Sequence, residues 1–183
     1  MNTAPREPNP RRQQIVAAAA DLLRNGEGKL THRRVAEHAG VPLGSTTYYF
    51  ASLDDLVADA FAHLAAEVET DLAETAQLIE DSDRTPEAIA GLLHGYLSDQ
   101  QQVRAEAALY AAALVRPELA HLSRLWFDGI VEVLSGLTDR DSARLMAVFL
   151  DGACMHAAIN DTPLELRLLE DLSRTLMPEA GQS

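Results

Sequence analysis

Apolar residues recur along this chain at helical intervals and almost nowhere with the alternation of a strand. Ile15, Ala19, Leu22 and Leu23 predict a first helix, opened by Asn9 as cap and Pro10 at the first helical position. The segment from Asn25 to Leu30, with Gly26 and Gly28, predicts its stop. Thr31 caps a short second helix, THRRVAEHA, that Gly40 ends. The tight connection Val41-Pro42-Leu43-Gly44 leads to a third short helix, STTYY, reaching about Tyr49. Ser52 and Asp55 open a fourth in a box-like S-x-x-D pattern. Its apolar side carries Leu56, Phe61, Leu64, Val68, Leu72 and Ile79, over roughly 28 residues or about 40 Å.

Asp81-Ser82-Asp83 is a polar break, and Thr85-Pro86 starts the next helix, with Ile89, Leu92, Leu93, Tyr96 and Leu97. Gln100-Gln101-Gln102 reads either as a loop or as a continuation. Residues 103–115 form an Ala-rich helix, interrupted by Arg116-Pro117. Residues 117–137 align Leu119, Leu122, Trp126, Ile130 and Leu134, and two further helices, 139–160 and 163–177, flank Asn160-Asp161-Thr162-Pro163. The pattern predicts an all-α chain of about nine helices. It divides into an arm and three-helix head, 1–52, and a helical body, 53–183, joined by the long helix.

Composition sharpens this reading. Of 183 residues 47% are apolar and only 5% aromatic, which favours helices over a β-sandwich. No run of about 20 apolar residues is free of charge, so no membrane-spanning helix is expected. The first residues lack the apolar core of a secretory leader. Cys154 has no second cysteine to pair with, and a cytoplasmic home is expected. The net charge of −13 is unevenly spread. Residues 1–50 hold seven basic and four acidic groups, a net +3, while the other 133 carry −16. Only the head is suited to approach a polyanion.

Residues 31–50, THRRVAEHAGVPLGSTTYYF, have the anatomy of a helix-turn-helix. Val35, Ala36 and Ala39 give the first helix a small apolar face, and Ala36 lets the second pack close. Gly40 suits the left-handed turn, and Val41 plugs the angle. Tyr48 and Phe50 are expected to anchor the second helix against residues 15–23 and the start of the fourth. With Ile15, Ala19, Leu22, Thr31, Gly44 and Leu56 at their spacings, the first 65 or so residues resemble the DNA-binding domain of the TetR family of bacterial repressors.

That resemblance implies an all-helical homodimer that binds a double-stranded, palindromic operator, with a C-terminal domain that senses a small molecule and moves two reading heads. It places Leu43, Gly44 and Ser45 at bases and phosphates, and Thr46 and Thr47 in the groove, with hydroxyls for polar edges and methyls for thymine. Tyr48 matches a phosphate-contacting tyrosine, and Tyr49 stands where histidine is frequent. Thr31 would offer its backbone amide to a phosphate, and Arg11, Arg12, His32 and Arg33 would add positioning contacts. Leu43 and Leu53 stand where the family often has Lys, and Pro42 where Ser is usual. Each missing phosphate contact flattens the log–log salt dependence by roughly 0.9 per half-site.

Under the same resemblance, residues 85–160 enclose a ligand cavity. Tyr96, Tyr110, Trp126, Phe127, Phe149 and Met155 are candidate walls, and His94, Arg116, His156 and Asn160 candidate anchors. Each singly is also an ordinary core or surface residue by type. The acidic body favours a neutral or cationic ligand. Ala143, Ala147, Gly152, Ala153, Ala157 and Ala158 let helices approach closely, and Leu164, Leu168, Leu172 and Leu176 form a stripe with Leu169 beside it. Pairing these with a second copy in a four-helix bundle is the expected dimer, with packing inside one chain the alternative.

No phosphate loop, G-x-S-x-G elbow or H-E-x-x-H is present, so neither enzyme nor cofactor is expected. His63 and Glu67 share a helix face as an i,i+4 pair, which is too few ligands for a metal. The alternatives are a helical protein-interaction module, or a TetR-like activator not controlled by a small molecule.

Overall fold

The computed structural model describes residues 9–25, 29–115 and 117–177, with Glu118 described by its backbone alone. Nine α-helices and a 3₁₀ turn make up these residues, and no strand occurs among them. The helices are α1 (Pro10–Arg24), α2 (His32–His38), α3 (Leu43–Tyr49), α4 (Leu53–Glu80), α5 (Pro86–Ser98), α6 (Gln100–Val115), α7 (Ala120–Leu134), α8 (Arg140–Asn160) and α9 (Leu166–Leu176). The chain forms two compact units, 1–67 and 68–183. The division falls inside α4, where the sequence reading divides the chain at the start of that helix.

Caps set the helix starts. Asn9 accepts from the Arg11 amide, Thr31 from Arg34 and Thr85 from Ala88. Ser52 and Asp55 exchange two bonds, each side chain taking the other's backbone amide at 3.1 Å. Those four caps satisfy amides that a helix leaves unpaired at its start. Asp99 accepts from the amides of Gln101 and Gln102, so the glutamine run opens α6 and is not a loop. Residues 117–137 prove shorter as a helix than their periodicity suggests, beginning with the 3₁₀ turn Pro117–Leu119. Asp161, at φ +54°, ends α8 in the left-handed conformation. Gly26 and Gly28, read as the stop for α1, lie outside the described residues.

In the first unit, Ile15, Ala19, Leu22, Val35, Ala36, Phe50, Leu56 and Ala60 are buried and form its core. Gly40 takes φ +64°, and the Val41 amide returns to the Ala36 carbonyl at 2.9 Å. A side chain there would be strained, which is why glycine makes this turn. The Gln14 amide side chain clamps the same turn by donating to the Ala39 carbonyl at 2.8 Å. Arg12–Asp59 and Arg24–Glu67 tie α1 to α4 by ion pairs.

In the second unit, α5 to α9 and the end of α4 surround a core that includes Ile89, Leu97, Val103, Ile130, Met146, Leu150 and Leu169. A Cβ added at Gly129 of α7 would fall 2.2 Å from Leu72 Cδ1 of α4, so a glycine permits that close approach. α8 is long and apolar enough to cross a membrane by length and composition alone, and its inner face is packed in this core. Ala143, Ala147, Ala153 and Ala157 are all at least 97% buried within the chain. Their assignment to a dimer interface is therefore corrected: the small residues of α8 serve close packing inside one body. Leu145, Val148, Met155 and Ile159, on the opposite side of α8, are exposed.

Candidate nucleic-acid interface and effector pocket

The second helix of the helix-turn-helix is seven residues long, so each side chain has one role. Leu43, Gly44, Thr47 and Tyr48 are exposed, and Ser45 and Tyr49 are half-buried. Thr46 is fully buried, and its hydroxyl donates to the Leu43 carbonyl at 2.8 Å. Its placement in the groove is corrected: Thr46 turns into the head's core and cannot reach a base. Thr47 is the threonine left outside, its hydroxyl donating to the Gly44 carbonyl at 3.3 Å. Tyr48 is 82% exposed and does not anchor α3; Phe50, 3% exposed, does. Tyr48 and Tyr49 meet edge to face at 5.0 Å, which restrains the exposed ring.

The basic groups of the head differ in their commitments. Arg12 pairs with Asp59 and lies over the Phe50 ring, 5.1 Å from its centroid. Arg11 is exposed near the start of α1, with a hydrogen bond to Gln14 at 3.4 Å. Arg33 has 80% of its side chain exposed and stands 3.9 Å from Glu37. Thr31 spends its side chain on the α2 cap, and His32, half-buried beside it, has a buried Nδ1 without a protein partner.

In the second unit, Thr75, Leu78 and Ile79 of α4 line a cavity of about 70 Å³ together with Leu92, Leu93, Tyr96, Trp126 and Leu150. Of the predicted walls, Tyr96 and Trp126 meet there, stacked at 6.5 Å between centroids. The Tyr96 hydroxyl donates to Glu106 of α6, whose other carboxylate oxygen, Oε1, is buried without a partner. The Trp126 Nε1 is likewise buried and unpartnered. Burial pushes the Glu106 carboxyl above its ordinary range despite the Tyr96 bond, and Asp151 adds to the shift. Burial also raises Asp151, which accepts from Tyr110 at 3.0 Å. It raises the Cys154 thiol as well, with Glu106 contributing. Among the described residues, no basic side chain enters the interactions that set Glu106 or Asp151.

The remaining predicted pocket residues do not gather at this cavity. Phe149 lines a separate groove of about 420 Å³ with Leu164, Leu168, Leu172 and Leu176. Phe127 packs half-buried against the core, and His94 is half-buried without lining the cavity. Met155 and His156 are exposed on α8, and Asn160 donates to the His156 carbonyl, so these three are corrected from pocket to surface. Arg116 lies outside the described residues. Glu106 was missed by sequence reasoning. Its signal was a lone acid in the apolar stretch after Arg104, EAALYAAALV.

The tetracyclin repressor-like C-terminal domain family matches residues 80–179. The chain belongs to the TetR family of transcriptional regulators. Relatives extend the match to the head as well. The HTH-type transcriptional regulator BetI 2 of Chromohalobacter salexigens is 26% identical, aligned over 94% of this chain and 89% of its own. The multidrug binding protein EbrR, in complex with imidazole, is 35% identical with a TM-score of 0.69, over 94% of this chain and 97% of its own. EbrR has also been solved with malachite green, proflavin and ethidium. SCO1917, a TetR-family member from Streptomyces coelicolor A3, is 34% identical with a TM-score of 0.70, over 93% and 99%.

Proposed function

We propose that this TetR-family regulator is a cytoplasmic repressor that grips a palindromic operator as a homodimer and lets go when an organic cation enters its body. The observation that carries this reading is the position of α4. Its first half, with Leu56, Ala60 and Leu64, is core to the reading head, and its last residues, Thr75, Leu78 and Ile79, are cavity wall. A ligand that enlarges the cavity has a helix to push on, and that helix continues into the head.

The cation follows from the electrostatics. Two half-buried carboxylates lie among aromatic hydroxyls, Glu106 on Tyr96 of the stacked pair and Asp151 on Tyr110, and both are shifted toward the neutral form by burial. A desolvated cation over an aromatic face supplies the missing counter-charge. EbrR, solved with three aromatic dyes, supports the same class. Dimerisation would use the outer side of α8, where Leu145, Val148 and Ile159 are 59–71% exposed, with Leu168 of α9. An apolar area of that kind marks an interaction surface.

Trp126 is the chain's one tryptophan, so its emission reports the cavity directly. Tetraphenylphosphonium, an aromatic cation that does not intercalate, should quench it saturably and release operator DNA over the same concentration range. Glu106→Gln should weaken both at least tenfold. Quenching that the substitution leaves untouched overturns the cation site; quenching without release overturns the coupling.

A further inference from the structure

Large apolar side chains are rarely left bare on so small a head. Among its described residues only two are, Leu43 at 48% and Tyr48 at 82%, and both belong to α3. Leu43 and Thr47 are four residues apart, as are Gly44 and Tyr48, so the four make one contiguous helical face. No arginine, lysine, asparagine or glutamine occurs in LGSTTYY. These are the side chains that hold guanine or adenine with paired hydrogen bonds in the major groove. The Thr47 hydroxyl already has a partner in the Gly44 carbonyl, and Thr46 is buried. Besides the hydroxyls of Ser45, Thr47 and Tyr48, the groups this face offers a base edge are apolar, the Leu43 methyls and the Thr47 methyl.

We infer that α3 reads its operator through the C5-methyl groups of thymine, with Leu43 and Thr47 as the specificity-determining residues. The occupant of this apolar face is then DNA and not a protein. The charge of the head fits that choice, since residues 1–50 carry a net +3 in an otherwise acidic chain and Lys29, Arg33 and Arg11 of the same unit are exposed. Phosphate contacts would fix the register, and methyl contacts would choose the sequence. The inference rests on the DNA-binding reading above and adds the chemistry by which that site discriminates.

Replacing thymine by deoxyuracil removes the C5-methyl and leaves every hydrogen-bonding group in place, so the test separates the two kinds of readout. Duplexes selected from a random pool by the full-length protein would be resynthesised with uracil at single thymines. One lost methyl contact is worth about fourfold in affinity, and the symmetric pair in two half-sites about 15-fold. We expect such losses at one or two positions per half-site. At those positions Leu43→Ala or Thr47→Ala should bind thymine and uracil duplexes within about twofold of each other. Both residues are exposed, so the fold should survive, which circular dichroism checks. A selected site bound equally well with uracil overturns the methyl readout and leaves operator binding intact. A pool that yields no enriched sequence overturns both. A Leu43→Glu variant that changes oligomeric state but not DNA binding would show that the face meets protein, and overturns this inference alone.

Discussion

Thr46 and Thr47 are neighbours with the same side chain and opposite fates, and substitution should separate them. Thr46 is core, with its hydroxyl bonded inside the helix. Thr46→Ala should lower the head's stability by about 1–2 kcal/mol and leave base preference unchanged. Thr47→Ala should leave the melting temperature almost unmoved and reduce discrimination at one thymine by about fourfold per half-site. Tyr48→Ala, at a side chain 82% exposed, should weaken binding to all sequences alike. Thermal melts and competition binding on each variant check all three. The sequence could not assign these roles, because a helix of two turns has too few apolar positions to fix its rotational phase. Thr46 and Thr47 differ by about 100° around the axis, and only the packing of α3 against α1 and α2 selects which points inward.

At the scale of elements, the legible features were those written in local chemistry. Asn9, Thr31, Thr85 and the Ser52–Asp55 pair announce helix starts because side-chain oxygens next to unpaired amides have one good use. α3 is the exception, preceded by Pro42 with no side-chain cap bond. Pro42→Ser should therefore exceed Pro42→Ala in stability by about 1 kcal/mol in urea unfolding, since the two differ only in the capping oxygen. Features that depend on a partner element were not legible. Alanines at 143, 147, 153 and 157 suit any close helix contact, and a sequence does not say whether the other helix belongs to the same chain. The exposed side of α8 is the better indicator of the second copy. Val148→Glu puts a charge in that patch, whose native residue is 59% exposed, and should convert a dimer to a folded monomer by light scattering. A Val148→Glu protein that remains dimeric places the interface elsewhere.

Across the whole molecule, acidity is concentrated in the body, and the part of it that matters is inside. Glu106 sits where burial favours the protonated carboxyl, so its folded value lies above that of the unfolded chain. The sign of the linkage follows: the fold gains from neutral Glu106 at low pH, and that gain is lost as pH rises through the raised value. Asp151 shifts in the same direction for the same reason. Glu106→Gln keeps an acceptor for the Tyr96 hydroxyl and removes the charge, so it should stabilise the empty body at pH 8, by roughly 1–3 kcal/mol, and have little effect near pH 4. Thermal melts of both proteins across that range would show the gap open with pH. A gap that is constant or reversed would mean that Glu106 is not held neutral by burial. The same substitution is the one expected to weaken the response to a cation at least tenfold. A carboxylate that weakens the resting fold and can be replaced at a gain has a reason to be there only if something positively charged visits it, and the pH dependence of the gap measures how strongly the empty site resists its own charge.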